Sequence, residues 1–377
     1  MARTGPEFWS MASAYDRWIE SQGIPIHKGY YVQDLRTVEL GWWKERECAA
    51  AFLVLAGQEG VSEARVTEIP PGKTLPPLKF ALDEIVYVME GRGLTTVWGG
   101  EDKPRKSFEW HNHSMFLIPR NATHQLGNMQ GDRPVRLLHY NYLPLSMSTI
   151  PDPQFFFNNP YVDWDILYGR GDDFYSVAQR MRHSEDSSAL SGAQRRSQRD
   201  FWYGNFFPKL SSWDKLQAQT GRGAGSHVVH LRFPHSAMCA HMSVFPAQSY
   251  KKAHRHGPGV VIVIPAGQGY SIMWPEGREK VVIPWQEASV FVPPNRWLHQ
   301  HFNTGSTPAR YLAFHSPRGL VGYAERVEDI AKDQIEYVDE EKWIRQKFEE
   351  EIAKNGLKSL MPDAAYTTRN FEWAYAS

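Results

Sequence analysis

Two histidines separated by a single residue are the clearest chemical feature of the sequence. His254 and His256 flank Arg255. Side chains on a β-strand alternate between its two faces, so both imidazoles would point to the same side. A third histidine from a later strand, His299 or His301, would complete a set of three neutral imidazole ligands. Such a set suits a divalent transition metal and leaves coordination positions open to water, oxygen or substrate. The pattern therefore predicts a catalytic metal centre.

Three further residues close to His299 are predicted to line the substrate pocket. Arg296 and Trp297 lie in the loop before His299, and loops at the mouth of a barrel commonly build the site. An arginine fork binds a carboxylate and an aromatic wall suits a planar ring, which favours an aromatic acid as substrate. His301, two residues after His299, should point to the same face. It is an alternative third ligand, a proton shuttle or a hydrogen-bonding neighbour of the metal.

Other polar residues near these motifs have structural explanations. Arg255 lies between two histidines that face inward, so it should point out of the barrel. His241 and His315 could face the cavity, and we interpret them as hydrogen-bonded histidines of the core or rim.

The residues that position these side chains belong to a pattern that occurs twice in the chain. The offset between equivalent residues drifts only from 176 to 174 over most of each half, which predicts two tandem units. The equivalent pairs are Gly29 with Gly204, Leu35 with Leu210, Pro70 with Pro246, Gly91 with Gly267, Pro119 with Pro294, His124 with His299, Asn128 with Asn303, and Arg136 with Arg310.

The first unit lacks most of the metal-ligating pattern. At the positions of His254, Arg255 and His256 it has 78–80, which read Leu, Lys and Phe, although it keeps Glu84 and His124. Two ligands of different type retain a metal poorly, so we predict a metal-free, structural barrel. A second pair, His111 and His113, lies where a loop enters a strand, and we interpret it as exposed or hydrogen-bonded.

Both units are predicted to be all-β. Short runs rich in Val, Ile, Phe and Tyr alternate with Gly, Pro, Asn and Asp clusters, which is typical of a sandwich or small barrel. Helical patterns are confined to 13–23, 175–181 and 338–356, the last with an apolar stripe of Trp343, Phe348 and Ile352. The predicted organisation is a helical segment at 1–23, barrels at 24–150 and 201–323, a linker at 151–200 and a helical tail at 324–377.

These motifs resemble those of the cupin family. In the second unit, His254, His256 and Gly267 match the first cupin motif, while Pro294, His299 and Asn303 match the second. In the first unit, Gly72, Glu84, Gly91, Pro119, His124 and Asn128 match the same motifs. The chain therefore resembles a bicupin over most of its length, closest to poorly characterised bacterial bicupins. The resemblance implies two double-stranded β-helix (jelly-roll) barrels.

The three-histidine set is similar to that of cupin dioxygenases that act on thiols, diketones or ring-hydroxylated aromatic acids. Most cupins add a glutamate ligand, whose place is taken here by Val260. The resemblance to gentisate and salicylate dioxygenases implies Fe(II), with Mn, Ni or Zn as alternatives, and O2 with a hydroxylated aromatic carboxylate as substrates. In those enzymes the metal usually lies in the N-terminal barrel. The alternatives are a metal-dependent lyase, isomerase or decarboxylase of a small organic acid, and a non-catalytic binding protein.

Composition excludes several other classes. The 377 residues carry 42 basic and 42 acidic side chains, so no net charge would attract nucleic acid. No stretch is long and apolar enough to predict a membrane helix, and the N-terminus lacks a signal-peptide core. Two cysteines, Cys48 and Cys239, fit a reduced cytoplasmic protein. By analogy with other bicupins, we expect a homo-oligomer, either a dimer or a tetramer.

Overall fold

The computed structural model describes both predicted barrels. The described ranges are 12–100, 103–157, 159–169, 171–181, 200–219, 221–315, 332–369 and 371–375. Residues 1–11 of the predicted N-terminal segment, residues 182–199 of the predicted linker and the junction 316–331 lie outside the described residues. None of the helices in these ranges combines the length and the hydropathy needed to cross a membrane.

The N-terminal half forms a barrel from two mainly antiparallel sheets. The larger sheet has the order β1-β4-β5-β12-β7-β10, with β3 beside β4, and the smaller has the order β6-β11-β8-β9. The strands are β1 (Ile26–Gly29), β2 (Tyr31–Val32), β3 (Gly41–Trp43), β4 (Cys48–Leu55), β5 (Glu63–Ile69), β6 (Leu78–Lys79), β7 (Glu84–Glu90), β8 (Arg92–Trp98), β9 (Lys106–His111), β10 (Met115–Ile118), β11 (Thr123–Asn128) and β12 (Val135–Asn141).

The C-terminal half repeats this arrangement. Its larger sheet has the order β13-β14-β17-β18-β26-β21-β24, with β16 beside β17. Its smaller sheet has the order β23-β22-β25-β20-β27, with β19 beside β25. The strands are β13 (Gln179–Met181), β14 (Phe201–Tyr203), β15 (Phe206–Phe207), β16 (Gln217–Ala218), β17 (His227–Arg232), β18 (Cys239–Phe245), β19 (Ser249–Tyr250), β20 (Ala253–His254), β21 (Val261–Ala266), β22 (Gly269–Trp274), β23 (Val281–Trp285), β24 (Val290–Phe291), β25 (Leu298–Asn303), β26 (Ala309–His315) and β27 (Gln334–Ile335).

The strand register confirms the predicted repeat. His254 lies opposite His299 in the second barrel, and Leu78 lies opposite His124 in the first. The sequence offsets therefore superpose residues that occupy the same place in each barrel. The predicted fold class, all-β with two tandem cupin-type jelly-roll barrels and peripheral helices, is confirmed.

Each half contributes a short arm to the sheet of the other half. Strand β2 pairs with β24 of the second barrel, and β15 pairs with β10 of the first. Backbone hydrogen bonds repeat the symmetry, since Leu35 N donates to Ala288 O and Leu210 N donates to His113 O, both at 2.9 Å. One apolar core cluster accordingly contains residues of both halves. The exchange explains why the sequence repeat begins at Gly29, before the barrel strands.

Helices lie at the edges, as predicted, with two corrections. The helices are α1 (Ala14–Ser21), α2 (Leu143–Thr149), α3 (Pro153–Phe157), α4 (Trp164–Tyr168) and α5 (Lys342–Ala353). The buried stripe of α5 consists of Ile344, Phe348 and Ile352, so the prediction of Trp343 in the stripe was wrong. A spacing of four residues keeps side chains on one helix face, whereas the predicted spacing of five does not. The predicted helix at 175–181 is also wrong, because Gln179–Met181 pairs with β14.

Candidate metal centre

The three predicted histidine ligands converge in the second barrel. His254, His256 and His299 each place one ring nitrogen within 4.8 Å of the others, and all three are buried. Their ring centroids are 4.3 Å apart for His254 and His299 and 4.6 Å for His256 and His299. The antiparallel pairing of β20 with β25 sets His254 opposite His299. His256 follows two residues later and completes the group.

Backbone carbonyls orient two of these rings. The Nδ1–H of His256 donates to Gly257 O at 2.7 Å, and the Nδ1–H of His299 donates to Trp297 O at 3.0 Å. Since carbonyl oxygens only accept, Nδ1 carries the proton in each ring and Nε2 keeps its lone pair. A metal-ligating histidine commonly makes this hydrogen bond through its other nitrogen. Both rings are therefore fixed in the tautomer that a metal requires.

The electrostatics of the site also fit a cation. His254 Nδ1 and His299 Nε2 are buried ring nitrogens without a hydrogen-bond partner among the described residues. Burial lowers the pKa of His256 to about 4, and burial together with the neighbouring imidazoles and Arg222 keeps the pKa of His254 and His299 well below the usual range. The three rings are thus neutral at physiological pH, and a group of neutral imidazoles suits a divalent metal ion.

No carboxylate completes the set. Val260, at the position of the usual cupin glutamate, is buried in an apolar cluster with Met273 and Phe291. Among residues 200–315 as the structure describes them, no aspartate or glutamate side chain is buried. A divalent ion held by the three imidazoles would therefore keep its full charge and would favour an anionic ligand.

Arg255 and Arg296 form ion pairs with the same aspartate. Arg255 Nε donates to Asp333 Oδ1 at 3.0 Å, with a second ion pair to Glu276 at 2.8 Å, which agrees with the predicted outward orientation. Arg296 Nη2 donates to Asp333 Oδ1 at 2.5 Å, and the Arg296 side chain is 43% exposed. Arg296 thus lies at the rim, and its predicted role in substrate binding stays a prediction.

Trp297 and His301 lie on either side of His299 in sequence. The Trp297 ring centroid is 5.8 Å from that of Tyr30, which precedes the exchanged arm strand β2. The His301 ring centroid lies 5.6 Å from His299 and 6.3 Å from His254, outside the group of three converging ring nitrogens. The geometry therefore favours His299 over His301 as third ligand. The catalytic roles of Trp297 and His301 stay predictions.

A buried polar group lines the barrel wall beside His301. Lys251 is fully buried and donates to Gln219 Oε1 at 2.5 Å, to Ser243 Oγ at 2.6 Å and to Tyr311 OH at 3.0 Å. The Tyr311 ring lies 5.0 Å from that of His301. Sequence reasoning missed Gln219 and Ser243. The signal for Ser243 was its spacing of two from His241, which places both on the inner face of β18.

His241 and His315 are hydrogen-bonded to each other. His241 Nδ1 and His315 Nε2 are 2.7 Å apart, and both rings are buried or nearly so. Burial keeps the pKa of His241 well below its usual range, so His241 is neutral, and one hydrogen lies between the two facing nitrogens. This agrees with their interpretation as satisfied histidines of the core.

In the first barrel an ion network occupies the equivalent space. Glu84 accepts from Arg65 at 2.6 Å and from His139 at 2.8 Å, and Arg65 also pairs with Glu63. The Glu84 carboxylate is thus already engaged by protein cations and donors. His124 is buried opposite Leu78, and burial lowers its pKa to about 3.

Fold and site together define a two-barrel cupin-type chain with a three-histidine candidate metal centre in the second barrel. No family model matches the chain. An uncharacterized protein of Methanocaldococcus jannaschii, MJ1618, is 31% identical over 90 residues, which are 23% of this chain and 66% of that protein. The chain thus spans just under two thirds of the length of this relative.

Solved structures with similar chains include two enzymes and a vicilin. A deletion mutant of Bacillus subtilis oxalate decarboxylase aligns over 92% of this chain and 88% of its own, with 10% identity and a TM-score of 0.47. Salicylate 1,2-dioxygenase from Pseudaminobacter salicylatoxidans aligns over 72% of this chain and 76% of its own, with 13% identity and a TM-score of 0.47. Vicilin from hazelnut, Corylus avellana, aligns over 76% of this chain and 84% of its own, with 14% identity and a TM-score of 0.43. Because these TM-scores lie below 0.5, the fold is assigned from the strand pairing and not from these similarities.

Proposed function

We propose that the chain is a mononuclear non-haem Fe(II) dioxygenase that cleaves or oxidises a small, hydroxylated aromatic carboxylate. The observation that carries the proposal is the convergence of His254, His256 and His299 without a carboxylate ligand. Three neutral ligands would leave a divalent ion with open coordination positions, which a chelating substrate and O2 both need. Iron bound there would supply the redox chemistry by which both atoms of O2 enter the product.

The surroundings of the site support an aromatic acid as substrate. Phe291 and Tyr311 face His301 with ring centroids at 5.6 and 5.0 Å, which provides flat apolar surface. The absence of buried carboxylates among the described residues 200–315 favours an anion near the ion. Arg296, released from Asp333 when substrate binds, is proposed to contact the carboxylate of the substrate, and Trp297 is proposed to contact its ring.

Metal analysis is the first test of the proposal. Protein purified without added metal should contain close to one first-row transition metal per chain, with iron predominant under anaerobic purification. His254→Ala and His256→Ala should abolish it, while His111→Ala, which changes the exposed histidine of the first barrel, should leave it unchanged. A metal-free protein, or metal retained in both site variants, would contradict the proposed centre and would favour a binding protein.

Oxygen consumption is the second test. The iron-loaded protein should consume O2 with at least one member of a panel of hydroxylated aromatic acids, in a one-to-one ratio with substrate. The same panel assayed without O2 should give no turnover. Turnover that persists without O2 would contradict the dioxygenase and would indicate the lyase, isomerase or decarboxylase. The dimer or tetramer and the cytoplasmic location stay predictions.

A further inference from the structure

We infer that His301 donates a hydrogen bond from its Nε2–H to an oxygen atom of the ligand bound at the metal, and that Ser271 and Trp285 hold His301 in the required tautomer. The inference rests on the proposed metal centre. It adds a ligand-contacting role for one histidine and a positioning role for two residues that the metal site itself does not use.

The tautomer follows from a chain of three buried groups. Trp285 Nε1 donates to Ser271 Oγ at 3.0 Å, and Ser271 Oγ lies 2.8 Å from His301 Nδ1. The indole nitrogen can only donate, so Ser271 must find an acceptor for its own hydroxyl proton. Ser271 is fully buried, and among its described partners only His301 Nδ1 can accept that proton. Nδ1 is therefore the acceptor and Nε2 carries the hydrogen.

The position of His301 makes that hydrogen available at the centre. His301 is two residues after His299 on β25, so both side chains point to the same face of the strand. The rings are 5.6 Å apart, which places His301 beside the three ligands. Among the described residues, its Nε2 has no hydrogen-bond partner. A fixed donor in a buried site interacts most strongly with a negatively charged oxygen, such as a carboxylate or phenolate of the substrate.

The first barrel provides an internal comparison for this arrangement. There Trp110 Nε1 donates to Thr95 Oγ1 at 2.9 Å, as Trp285 does to Ser271. The residue opposite Thr95 is Leu126, whereas the residue opposite Ser271 is His301. The tryptophan–hydroxyl pair is thus common to both barrels, and it contacts an imidazole only in the second. The imidazole is added only in the barrel that holds the three histidines.

The tautomer can be measured directly on the metal-free full-length protein. Long-range 1H–15N correlation spectra of 15N-histidine-labelled protein distinguish a ring nitrogen that accepts from one that carries hydrogen, and His301→Leu assigns the signals. We expect an acceptor-type Nδ1 and a protonated Nε2 in the wild type and in Ser271→Thr, which keeps the hydroxyl as in the first barrel. Ser271→Ala should give a mixture of tautomers. A protonated Nδ1 in the wild type would overturn the inference.

Binding of a small oxygen anion tests the donor. Formate titrated into Co(II)-loaded protein, followed by the visible spectrum, should bind about 10-fold more weakly in His301→Leu and a few-fold more weakly in Ser271→Ala. Cobalt content should be unchanged in both. Thr95→Ala, which removes the matching hydroxyl of the first barrel, should not alter the affinity for formate.

The two proposals fail in different ways. If cobalt does not bind through His254, His256 and His299, the proposed centre fails, whatever the tautomer of His301. If cobalt binds at full occupancy and the affinity for formate is the same in His301→Leu and the wild type, the centre stands and the donor role of His301 is wrong.

Discussion

The two barrels have the same fold but compensate buried charge in different ways. Arg65 of the first barrel and His241 of the second occupy equivalent strand positions, opposite His139 and Ala313 respectively. In the first barrel Arg65 supplies a permanent cation between two buried glutamates. In the second, Val260 replaces Glu84, and the described interior holds clustered imidazoles instead of buried carboxylates.

The same fold therefore accommodates two kinds of buried ionisable group, an ion network in the first barrel and clustered imidazoles in the second. Burial alone would raise the pKa of Glu84, but Arg65 and His139 lower it well below its usual range, so Glu84 is ionised and compensated by its neighbours, whereas burial raises the pKa of Glu63. The first barrel thus supplies the cation for its buried carboxylates from its own Arg65, whereas the second barrel presents three imidazoles that could hold an ion from outside the chain.

Removal of Arg65 should cause the largest loss of stability among the changes that distinguish the two barrels. Arg65→Ala leaves two buried glutamates without their cation, which should cost roughly 3–5 kcal/mol of unfolding free energy. The equivalent change His241→Ala breaks one hydrogen bond between neutral rings and should cost about 1 kcal/mol. Urea unfolding followed by tryptophan fluorescence compares them. Equal losses would show that Arg65 does not carry the charge compensation.

The equivalent histidines of the two barrels should differ in their effect on metal binding. Saturating Fe(II) or Co(II) should stabilise the wild type, by about 2.7 kcal/mol at 100 times Kd. His299→Ala should abolish this stabilisation and His124→Ala should retain it, because only the first of these belongs to a converging set. Thermal melts with and without metal, and after a chelator, measure it. A lost metal response in His124→Ala would place the ion in the first barrel.

Introducing a glutamate at position 260 should give the second barrel the carboxylate that the first barrel has at Glu84. Val260→Glu buries a carboxylate and should cost the metal-free protein roughly 1–3 kcal/mol. It should slow release of the metal to a chelator, because the carboxylate becomes a fourth ligand. Val260→Gln, of similar size without charge, is the control. If both variants release metal at the same rate, position 260 does not face the ion.

Acid should weaken the metal-free second barrel before the first. Burial lowers the pKa of His256 to about 4 and that of His301 to about 3, from an ordinary value of 6.5, and it also lowers the pKa of His254, His299 and His241. Fewer histidines are affected in the first barrel, where burial lowers the pKa of His124, His139 and His113. Because the unfolded state binds protons first, the stability these groups contribute is full above pH 6.5 and is lost as the pH falls towards 4. The lowered pKa of Glu84 contributes stability that is lost only below pH 4.5.

Hydrogen exchange at pH 7 and pH 5 measures this difference in acid sensitivity between the barrels, which is the smallest of the expected effects. Protection of β21 should fall more than protection of β7, although the first barrel also contains buried His124 and His139. Adding metal at pH 7 should raise the protection of β21 and leave that of β7 nearly unchanged. An equal fall in both barrels at pH 5 would contradict the comparison.

The alternation of side chains along strands and the internal sequence repeat predicted the fold and much of the histidine group from the sequence. Alternation along a strand brought His254 and His256 to one side, and the offset between the units identified His299 and the substitution at Leu78. These are local or nearly periodic signals. The ion pair between Arg296 and Asp333 joins a loop to the tail through tertiary packing, which a motif does not encode. The same holds for Ser271, whose role depends on both Trp285 and His301.

The exchanged arms make each barrel depend on the other half of the chain for a complete sheet. Because β2 completes the C-terminal sheet and β15 completes the N-terminal one, either half produced alone would present a bare strand edge and lack its own closing strand. Deletion of either half would therefore remove a strand from the sheet of the half that remains.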